Sequence, residues 1–187
     1  MEQFREDNLL IEERLNREVI YCGKSYQLWL DELKLPDGKI RIREHLHHPG
    51  GVAVLAVDDC GCCAMVRQYR HPIEQITLEI PAGKLDKLPD ETPEHAARRE
   101  LREETGWKAA SLTPMGKIYP SPGVVDEVLY LFLAKGLKRE QQELDEDEFI
   151  HVHWMPLEEL ESLVARGEMD DVKTICALSR AKLCGLL

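Results

Sequence analysis

The chain has 187 residues, 43% hydrophobic and 32% charged, an ordinary balance for a globular protein that can bury a full core. Its formal net charge is −11, from 24 Lys and Arg against 35 Asp and Glu. This excess of acid argues against a nucleic-acid backbone or an anionic membrane as the partner. No apolar run approaches 18 residues and no signal-peptide pattern is visible, so we expect a cytoplasmic protein.

Residues 1–48 carry short alternating patterns that predict an N-terminal region of antiparallel strands. The turn sequence Pro36-Asp37-Gly38 lies between the last two of them. The three predicted strands are Val19–Tyr21, Gln27–Leu33 and Lys39–Glu44.

Residues 49–187 read as a second domain, in which strands and helices alternate without a regular βαβ period. Residues 138–148 are acidic and lack apolar periodicity, which predicts a mobile loop. We expect an α+β fold with a mixed sheet between helices. The predicted strands are Val52–Val57, Ala64–Tyr69, Thr77–Pro81, Leu112–Ile118, Val128–Lys135 and Phe149–Met155, and the late helices are Leu157–Ala165 and Asp171–Leu183.

Cys60, Cys62 and Cys63 follow Asp58 and Asp59 between two predicted strands. The cluster could suggest a metal site or a disulfide. However, the sequence supplies no second C-x-x-C or nearby Cys/His pair for zinc, so free thiols in a hairpin turn are favoured.

A helix is predicted between Thr92, a good N-cap, and Gly106, which suits the left-handed position after a helix end. Glu100, Glu103 and Glu104 share one face of its last turn, where like charges repel and the helix dipole disfavours anions. A solvated face with Arg–Glu pairs is the plain alternative. Clustered carboxylates at this end favour a bound Mg²⁺ or Mn²⁺ instead.

The stretch from Gly83 to Trp107 resembles the Nudix hydrolase box, G-x5-E-x7-R-E-U-x-E-E-x-G-U with U aliphatic. Gly83, Glu91 and every fixed position from Arg99 to Gly106 match. The sequence departs from the box at two points. Seven residues instead of five separate Gly83 from Glu91, and Trp107 occupies the last position, where the box has an aliphatic residue. The resemblance implies the Nudix α/β/α sandwich with its mixed sheet.

Further tracts resemble the ADP-ribose pyrophosphatase subfamily, among them MVRQYRHP, TLEIPAGKLD (which runs into the start of the box), YPSPGVVDEVLYLFLAKGL and LDEDEFIHVHW. That resemblance implies Mg²⁺-dependent hydrolysis of ADP-ribose to AMP and ribose 5-phosphate, with Mn²⁺ as a possible substitute. It implies as metal ligands the main-chain carbonyl of Ala82 and the carboxylates of Glu100, Glu103, Glu104 and Glu148.

The resemblance also assigns catalytic roles. It implies that Glu146 is the general base, on a loop that closes over the substrate. Asp145 and Asp147 are neighbouring acids that could be mistaken for it. If none of the acids of this loop is the base, Glu103 is the next candidate. Arg99 is expected to orient the box acids through hydrogen bonds.

Substrate contacts implied by the resemblance are Arg43, Arg70, Lys84, Ser121 and Glu127, with Arg41 as the competitor of Arg43 for the same role. His47 and His48 are read as structural, and Tyr21, Tyr26 and Trp29 as packing residues or, less favoured, adenine stackers. The resembling proteins are homodimers that exchange N-terminal segments, so we expect a homodimer through residues 1–48. Alternative functions are hydrolysis of an ADP-hexose or GDP-mannose, or nucleotide binding without turnover.

Overall fold

The computed structural model describes residues 7–88 and 90–187, so the first six residues of the predicted N-terminal region lie outside the described residues. The chain divides into two compact units. The first contains the residues up to His48 together with Ser121–Glu127, and the second contains Pro49–Pro120 and Val128–Leu187.

The first unit is built on a three-stranded antiparallel sheet in which β2 (Gln27–Lys34) lies between β1 (Glu13–Cys22) and β3 (Ile40–His47). A short 3-10 helix, Asp7–Leu10, precedes it. The predicted turn between β2 and β3 is confirmed: Gly38 has φ +84° and the Asp37 carboxylate accepts from the Lys39 N–H at 3.1 Å. β1 extends well beyond the predicted Val19–Tyr21, because nearly all its side chains are exposed and no alternation marks its ends.

The segment Ser121–Glu127 joins this unit through the main chain of Leu46. The Leu46 N–H donates to the Val124 carbonyl at 2.8 Å, and the Asp126 N–H donates to the Leu46 carbonyl at 3.1 Å. The two pieces of chain are therefore held in register although more than seventy residues of sequence separate them.

The second unit contains two sheets. β4 (Gly51–Ala56), β7 (Ala82–Lys84), β8 (Trp107–Ile118) and β9 (Leu129–Arg139) form one sheet in the order β7-β4-β9-β8, with β4 and β9 parallel and the other pairs antiparallel. β5 (Cys62–Arg70), β6 (Gln75–Glu79) and β10 (His151–Pro156) form an antiparallel sheet in the order β10-β5-β6. The helices are α1 (Pro93–Thr105), α2 (Leu157–Arg166) and α3 (Val172–Leu183), and a short 3-10 helix spans His71–Ile73.

β4 shows why this unit is a sandwich. All six of its residues are buried, as a strand covered on both faces requires. Val52, Val54 and Ala56 pack in one cluster with Ala96, Ala97 and Leu101 of α1. The alternate residues Ala53 and Leu55 pack in the other cluster with Leu160 of α2 and Ala177, Leu178 and Ala181 of α3. The expected α/β/α sandwich with a mixed sheet is confirmed.

Some element boundaries differ from the prediction. β8 begins at Trp107 instead of Leu112, because pairing with the long β9 extends it through a segment without a clear apolar pattern. β7 is three residues long and was not predicted. The hairpin before β5 turns through Asp58–Gly61 as expected, and all six cysteines are free. In the described part of the chain, no helix is long and apolar enough to cross a bilayer.

Candidate active site

Helix α1 presents the three box acids from its last turn. The Thr92 side chain accepts from the His95 N–H at 3.3 Å and begins the helix, and Gly106 ends it at φ +73°. Glu100 and Glu104 face the interior and are 5% and 2% exposed, whereas Glu103 is more open to solvent. Two carboxylates are therefore buried side by side, at a helix end that disfavours negative charge.

Burial dominates the electrostatics of these two acids. It raises the pKa of Glu100, although the Arg99 guanidinium opposes the rise. The pKa of Glu104 is raised well above its ordinary value, chiefly by burial and then by the charge of Glu100, with a further contribution from Glu148. The hydrogen bond from the Ala82 N–H to Glu104 Oε2 at 3.0 Å and the charge of Lys173 act in the other direction. The pair is costly to ionise without a cation.

Arg99 joins the acids to the loop before the helix. Its Nη1 donates to Glu100 Oε1 at 2.5 Å and to Glu103 Oε2 at 3.0 Å. Its other edge donates to both carboxylate oxygens of Glu91, at 3.0 and 2.9 Å, and to the Lys84 carbonyl at 3.2 Å. A planar guanidinium with five donors can make all these bonds at once, so one side chain fixes the rotamers of two box acids.

Gly83 shows how closely β7 approaches the acids. A Cβ built on Gly83 would lie 2.0–2.4 Å from the three carboxylate atoms of Glu100, so only a glycine fits here. The strand that carries Ala82 therefore lies directly against the buried carboxylates. Oxygen ligands gathered around two buried acids are the donor set that Mg²⁺ or Mn²⁺ prefers, so these residues fit a divalent cation.

The carboxylates of the three box acids do not point to one common position in this structure. Within residues 7–88 and 90–187, no three His, Cys, Asp or Glu side chains are arranged as a ready-made metal site. Lys87 and Arg99 are hydrogen-bonded to the oxygens that a cation would use. In this arrangement the Lys87 ammonium is bonded to Glu103 and the Arg99 guanidinium to Glu100 and Glu103, whereas Glu104 accepts from the Ala82 N–H.

Lys87 also reaches the acidic loop after β9. Its Nζ lies 2.9 Å from Glu103 Oε2 and 2.9 Å from Asp145 Oδ1. Although burial lowers the pKa of Lys87, these two carboxylates outweigh it and raise the pKa. Sequence reasoning missed Lys87, and the signal that could have found it is its place in the lengthened loop between Gly83 and Glu91.

The acidic loop after β9 carries Glu146, the candidate general base, and Glu148, the fifth candidate metal ligand. The Asp145 N–H donates to Glu148 Oε2 at 3.3 Å and the Glu148 N–H donates to the Asp145 carbonyl at 3.0 Å, which makes a tight turn. Glu148 is half-buried and close enough to raise the pKa of Glu104. Glu146, at the tip of the turn, is exposed.

Arg70, at the end of β5, is held by an acid that sequence reasoning missed. Its Nε and Nη2 donate to Glu79 at 2.7 and 2.6 Å, and Lys173 of α3 donates to the same carboxylate. Burial raises the pKa of Glu79, but the hydrogen bonds and charges of Arg70 and Lys173 outweigh it and lower the pKa to about 2. A charged residue inside the apolar tract TLEIP was the available signal.

The remaining candidates belong to the first unit. Arg43 forms a two-point pair with Glu12, at 2.7 and 3.3 Å, and is half-exposed. Ser121 is exposed, and its carbonyl accepts from two N–H groups in the turn that follows. Glu127 lies 3.7 Å from the ring of His48, and both residues belong to this unit.

The aromatic residues and histidines of the first unit pack on one another. The indole of Trp29 stacks on the ring of His47 at 4.0 Å and is contacted by the Arg17 guanidinium at 3.9 Å. His47 also pairs with Asp126 at 2.7 Å. These contacts agree with a structural role for Trp29 and His47. Tyr21 remains exposed on β1.

Comparison with known proteins gives consistent results. A family model described as NUDIX domain matches residues 47–178. The chain is 46% identical over 176 residues to the ADP-ribose pyrophosphatase of Bacillus subtilis (strain 168), which covers 93% of this chain and 94% of the relative. It is 38% identical over 177 residues to the methanol dehydrogenase activator of Bacillus methanolicus, covering 94% and 95%. A crystal structure of an ADP compounds hydrolase superposes with a TM-score of 0.81 over 95% of this chain and 97% of the other; at 24% identity this likeness shows the fold.

Proposed function

Since its family match and its relatives show that the chain belongs to the Nudix hydrolase family, we propose that it hydrolyses ADP-ribose to AMP and ribose 5-phosphate. The observation that carries the proposal is the cradle of β7 against α1, where Gly83 makes room for the buried carboxylate of Glu100 beside Glu104. Two acids buried together cost folding free energy, and a site that binds a cation for catalysis explains why they are there.

We assign Mg²⁺ as the cofactor, with Mn²⁺ able to replace it. The side chains of Glu100, Glu103, Glu104 and Glu148 and the main-chain carbonyl of Ala82 would hold it. Bound there, the metal supplies screening of the phosphoryl charges and favours ionisation of the attacking water.

The protein's own residues perform the remaining work. Arg99 holds the box acids in place through the bonds described above. The carboxylate of Glu146 takes the proton of the attacking water, whose oxygen bonds to one phosphorus while the bridging P–O bond breaks. One product carries the oxygen of the water on its phosphate, and the other keeps the bridging oxygen on its own phosphate. Arg70 offers its guanidinium to the phosphate oxygens.

Further substrate contacts are assigned to Arg43, Lys84, Ser121 and Glu127. Arg43 and Arg41 lie two residues apart on β3, so both side chains are on the same face of that strand. The ion pair with Glu12 orients Arg43. In the described chain, the side chain of Arg41 donates one hydrogen bond, to the carbonyl of its neighbour Ile40. This difference favours Arg43 for the phosphate or ribose contact.

The homodimer is proposed from the surface of the first unit. β1 and β3 expose large apolar side chains, Leu15, Val19, Ile20, Tyr21, Ile40 and Ile42, which a monomer would leave in water. We therefore assign residues 1–48 to dimerisation and substrate contacts, and expect a buried area of roughly 2,000 Å² or more. Light scattering at micromolar concentration measures the mass; a monomer would refute the assignment. The cytoplasmic location stays a prediction.

A substrate panel tests the activity. The purified chain is incubated with Mg²⁺ and ADP-ribose, ADP-glucose, GDP-mannose, diadenosine compounds or NADH, and products are separated by chromatography. We expect kcat/KM for ADP-ribose to exceed that for GDP-mannose by more than about tenfold, because a site built for one sugar leaves polar groups unpaired with another. Preference for a hexose nucleotide would move the assignment to that substrate. Binding without turnover of any compound would refute catalysis.

A further inference from the structure

The guanidinium of Arg70 has two different edges. Its Nε and Nη2 form a two-point pair with Glu79 at 2.7 and 2.6 Å. The Arg70 side chain is 42% exposed, whereas that of Glu79 is only 3% exposed. The pair therefore occupies the inner edge of the guanidinium, and the Nη1 edge is the one that can meet a phosphate oxygen.

We propose that Glu79 and Lys173 are positioning residues that aim Arg70 at the phosphates of the substrate. The inference rests on the proposed function, which assigns Arg70 to those phosphates. Glu79 acts on Arg70 directly, and Lys173 acts through Glu79. Neither residue is assigned any contact with substrate or metal.

Glu79 is itself held from two other directions. Its Oε1 accepts from the Thr77 hydroxyl at 2.5 Å, and its Oε2 accepts from the Lys173 ammonium. Lys173 is nearly buried and donates its second bond to Asp171 at 2.8 Å, the residue that caps α3. The carboxylate that aims Arg70 thus cannot rotate without leaving a buried ammonium short of an acceptor.

The start of α3 also holds the strand end next to the box. The Thr174 hydroxyl accepts from the Ile80 N–H at 2.9 Å and donates to Asp171. Ile80 follows Glu79 directly and lies two residues before Ala82. One helix terminus therefore sets the position of both Arg70 and the strand that packs on the metal-binding acids.

A role in stability alone does not account for this arrangement. Buried ion pairs are commonly no more stabilising than apolar side chains of similar volume, because removing two charges from water costs about as much as their attraction returns. The network of Arg70, Glu79, Lys173 and Asp171 does supply a fixed direction for one half-exposed guanidinium. Preorganised direction is what catalysis requires, since misplacement by about 1 Å can cost roughly 100-fold in rate.

A double-mutant cycle tests the inference. Arg70→Ala, Glu79→Gln and the double variant are assayed with ADP-ribose and Mg²⁺, with kcat and KM determined separately. If Glu79 acts through Arg70, Glu79→Gln lowers kcat/KM by about 10- to 100-fold, and the double variant is no worse than Arg70→Ala. Losses that multiply in the double variant, or a Glu79→Gln enzyme with wild-type kcat/KM, would overturn the proposal.

The chain provides a matched control. Arg166 and Glu168 form a two-point pair of the same geometry, at 2.9 and 2.7 Å, on the exposed surface. Glu168→Gln should leave kcat and KM unchanged. If Glu79→Gln does not fold, as judged by thermal unfolding, Lys173→Met replaces it in the cycle. That variant keeps Glu79 and should show a smaller loss of kcat/KM that disappears in the Arg70→Ala background. A loss that persists there would refute the proposal that Lys173 acts through Glu79 and Arg70.

A physical readout separates this inference from the proposed function. The Nε–H resonance of Arg70 in ¹⁵N–¹H spectra is identified by its loss in Arg70→Ala. In the wild type we expect this N–H to exchange slowly with water and to give a narrow resonance. In Glu79→Gln we expect faster exchange and therefore a broadened resonance. An unchanged resonance overturns the positioning role whatever the substrate is. A broadened resonance in a protein that does not hydrolyse ADP-ribose would instead retire the proposed function.

Discussion

Replacing Gly83 with alanine would place a methyl carbon inside the space of the Glu100 carboxylate. The new Cβ would lie 2.0 Å from the carboxylate carbon and 2.1 and 2.4 Å from its oxygens. Ordinary contact between such atoms begins at about 3.5 Å, so the carboxylate must move by roughly 1.5 Å. Because Glu100 is 5% exposed and bonded to Arg99, it cannot swing into water without breaking that bond.

The cost follows from this displacement. Overpacking of a closed site typically costs about 1–3 kcal/mol of unfolding free energy, equivalent to a fall in Tm of about 2–12 °C in a chain of this size. Turnover should fall by about 100-fold or more, because one acid leaves its place in the site. Thermal unfolding and ADP-ribose hydrolysis measure the two effects on the same preparation.

The Glu100→Ala background provides the decisive comparison. The three nearest atoms to the new methyl group all belong to Glu100, so removing that side chain should remove most of the stability penalty of Gly83→Ala. Gly123→Ala, where a Cβ meets no heavy atom within 4 Å, controls for the backbone effect of alanine on stability. An equal penalty with and without Glu100 would refute the steric reasoning.

Three further perturbations have defined outcomes. Glu104→Gln should abolish most turnover. The unfolding free energy of the metal-free variant, measured by chemical denaturation, should stay level or rise, because a buried acid is removed. A fall in that free energy of roughly 3 kcal/mol or more would contradict this. Glu79, with its folded pKa of about 2 below the unfolded value of about 4.5, contributes stability above pH 4.5 that is lost as the pH falls toward 2. The stability gap between wild type and Glu79→Gln should therefore narrow by about 2 kcal/mol between pH 7 and pH 3 in urea titrations. The pKa of Glu168 is lowered too, but solvent screens this exposed pair, so the gap for Glu168→Gln should narrow much less. A constant gap for Glu79→Gln argues against the buried ion pair. Glu146→Gln should lower kcat by about 10²–10⁴ with little change in KM, and Asp147→Asn should stay near wild type; the reverse result would move the general base to Asp147.

Sequence by itself determined the elements whose signals are local. Thr92 and Gly106 mark the two ends of α1 because capping depends on residues within one turn of the helix. The hairpin at Asp58–Gly61 follows from turn chemistry in the same way. The shared face of Glu100, Glu103 and Glu104 needs only the helical period, so the candidate metal site was visible before any packing was known.

Tertiary structure alone decided the features that depend on distant residues. β1 has no alternating pattern, since nearly all its side chains are exposed, and its limits come from pairing with β2. β7 is only three residues long and exists because its chain pairs with β4. No local rule could predict that a Cβ at Gly83 would collide with Glu100.

The supporting contacts of the candidate site show the same limit. Lys173 meets Glu79 across 94 residues of sequence, and Lys87 meets Asp145 across 58. Charged residues separated in this way give no periodic signal, and each alone resembles an ordinary surface charge. Only the packing of α3 against the sheet removes Lys173 from water and obliges it to find Glu79, because a buried ammonium must be paired. The residues of the box are therefore readable from the chain, whereas the residues that hold them and Arg70 in place are set by the fold.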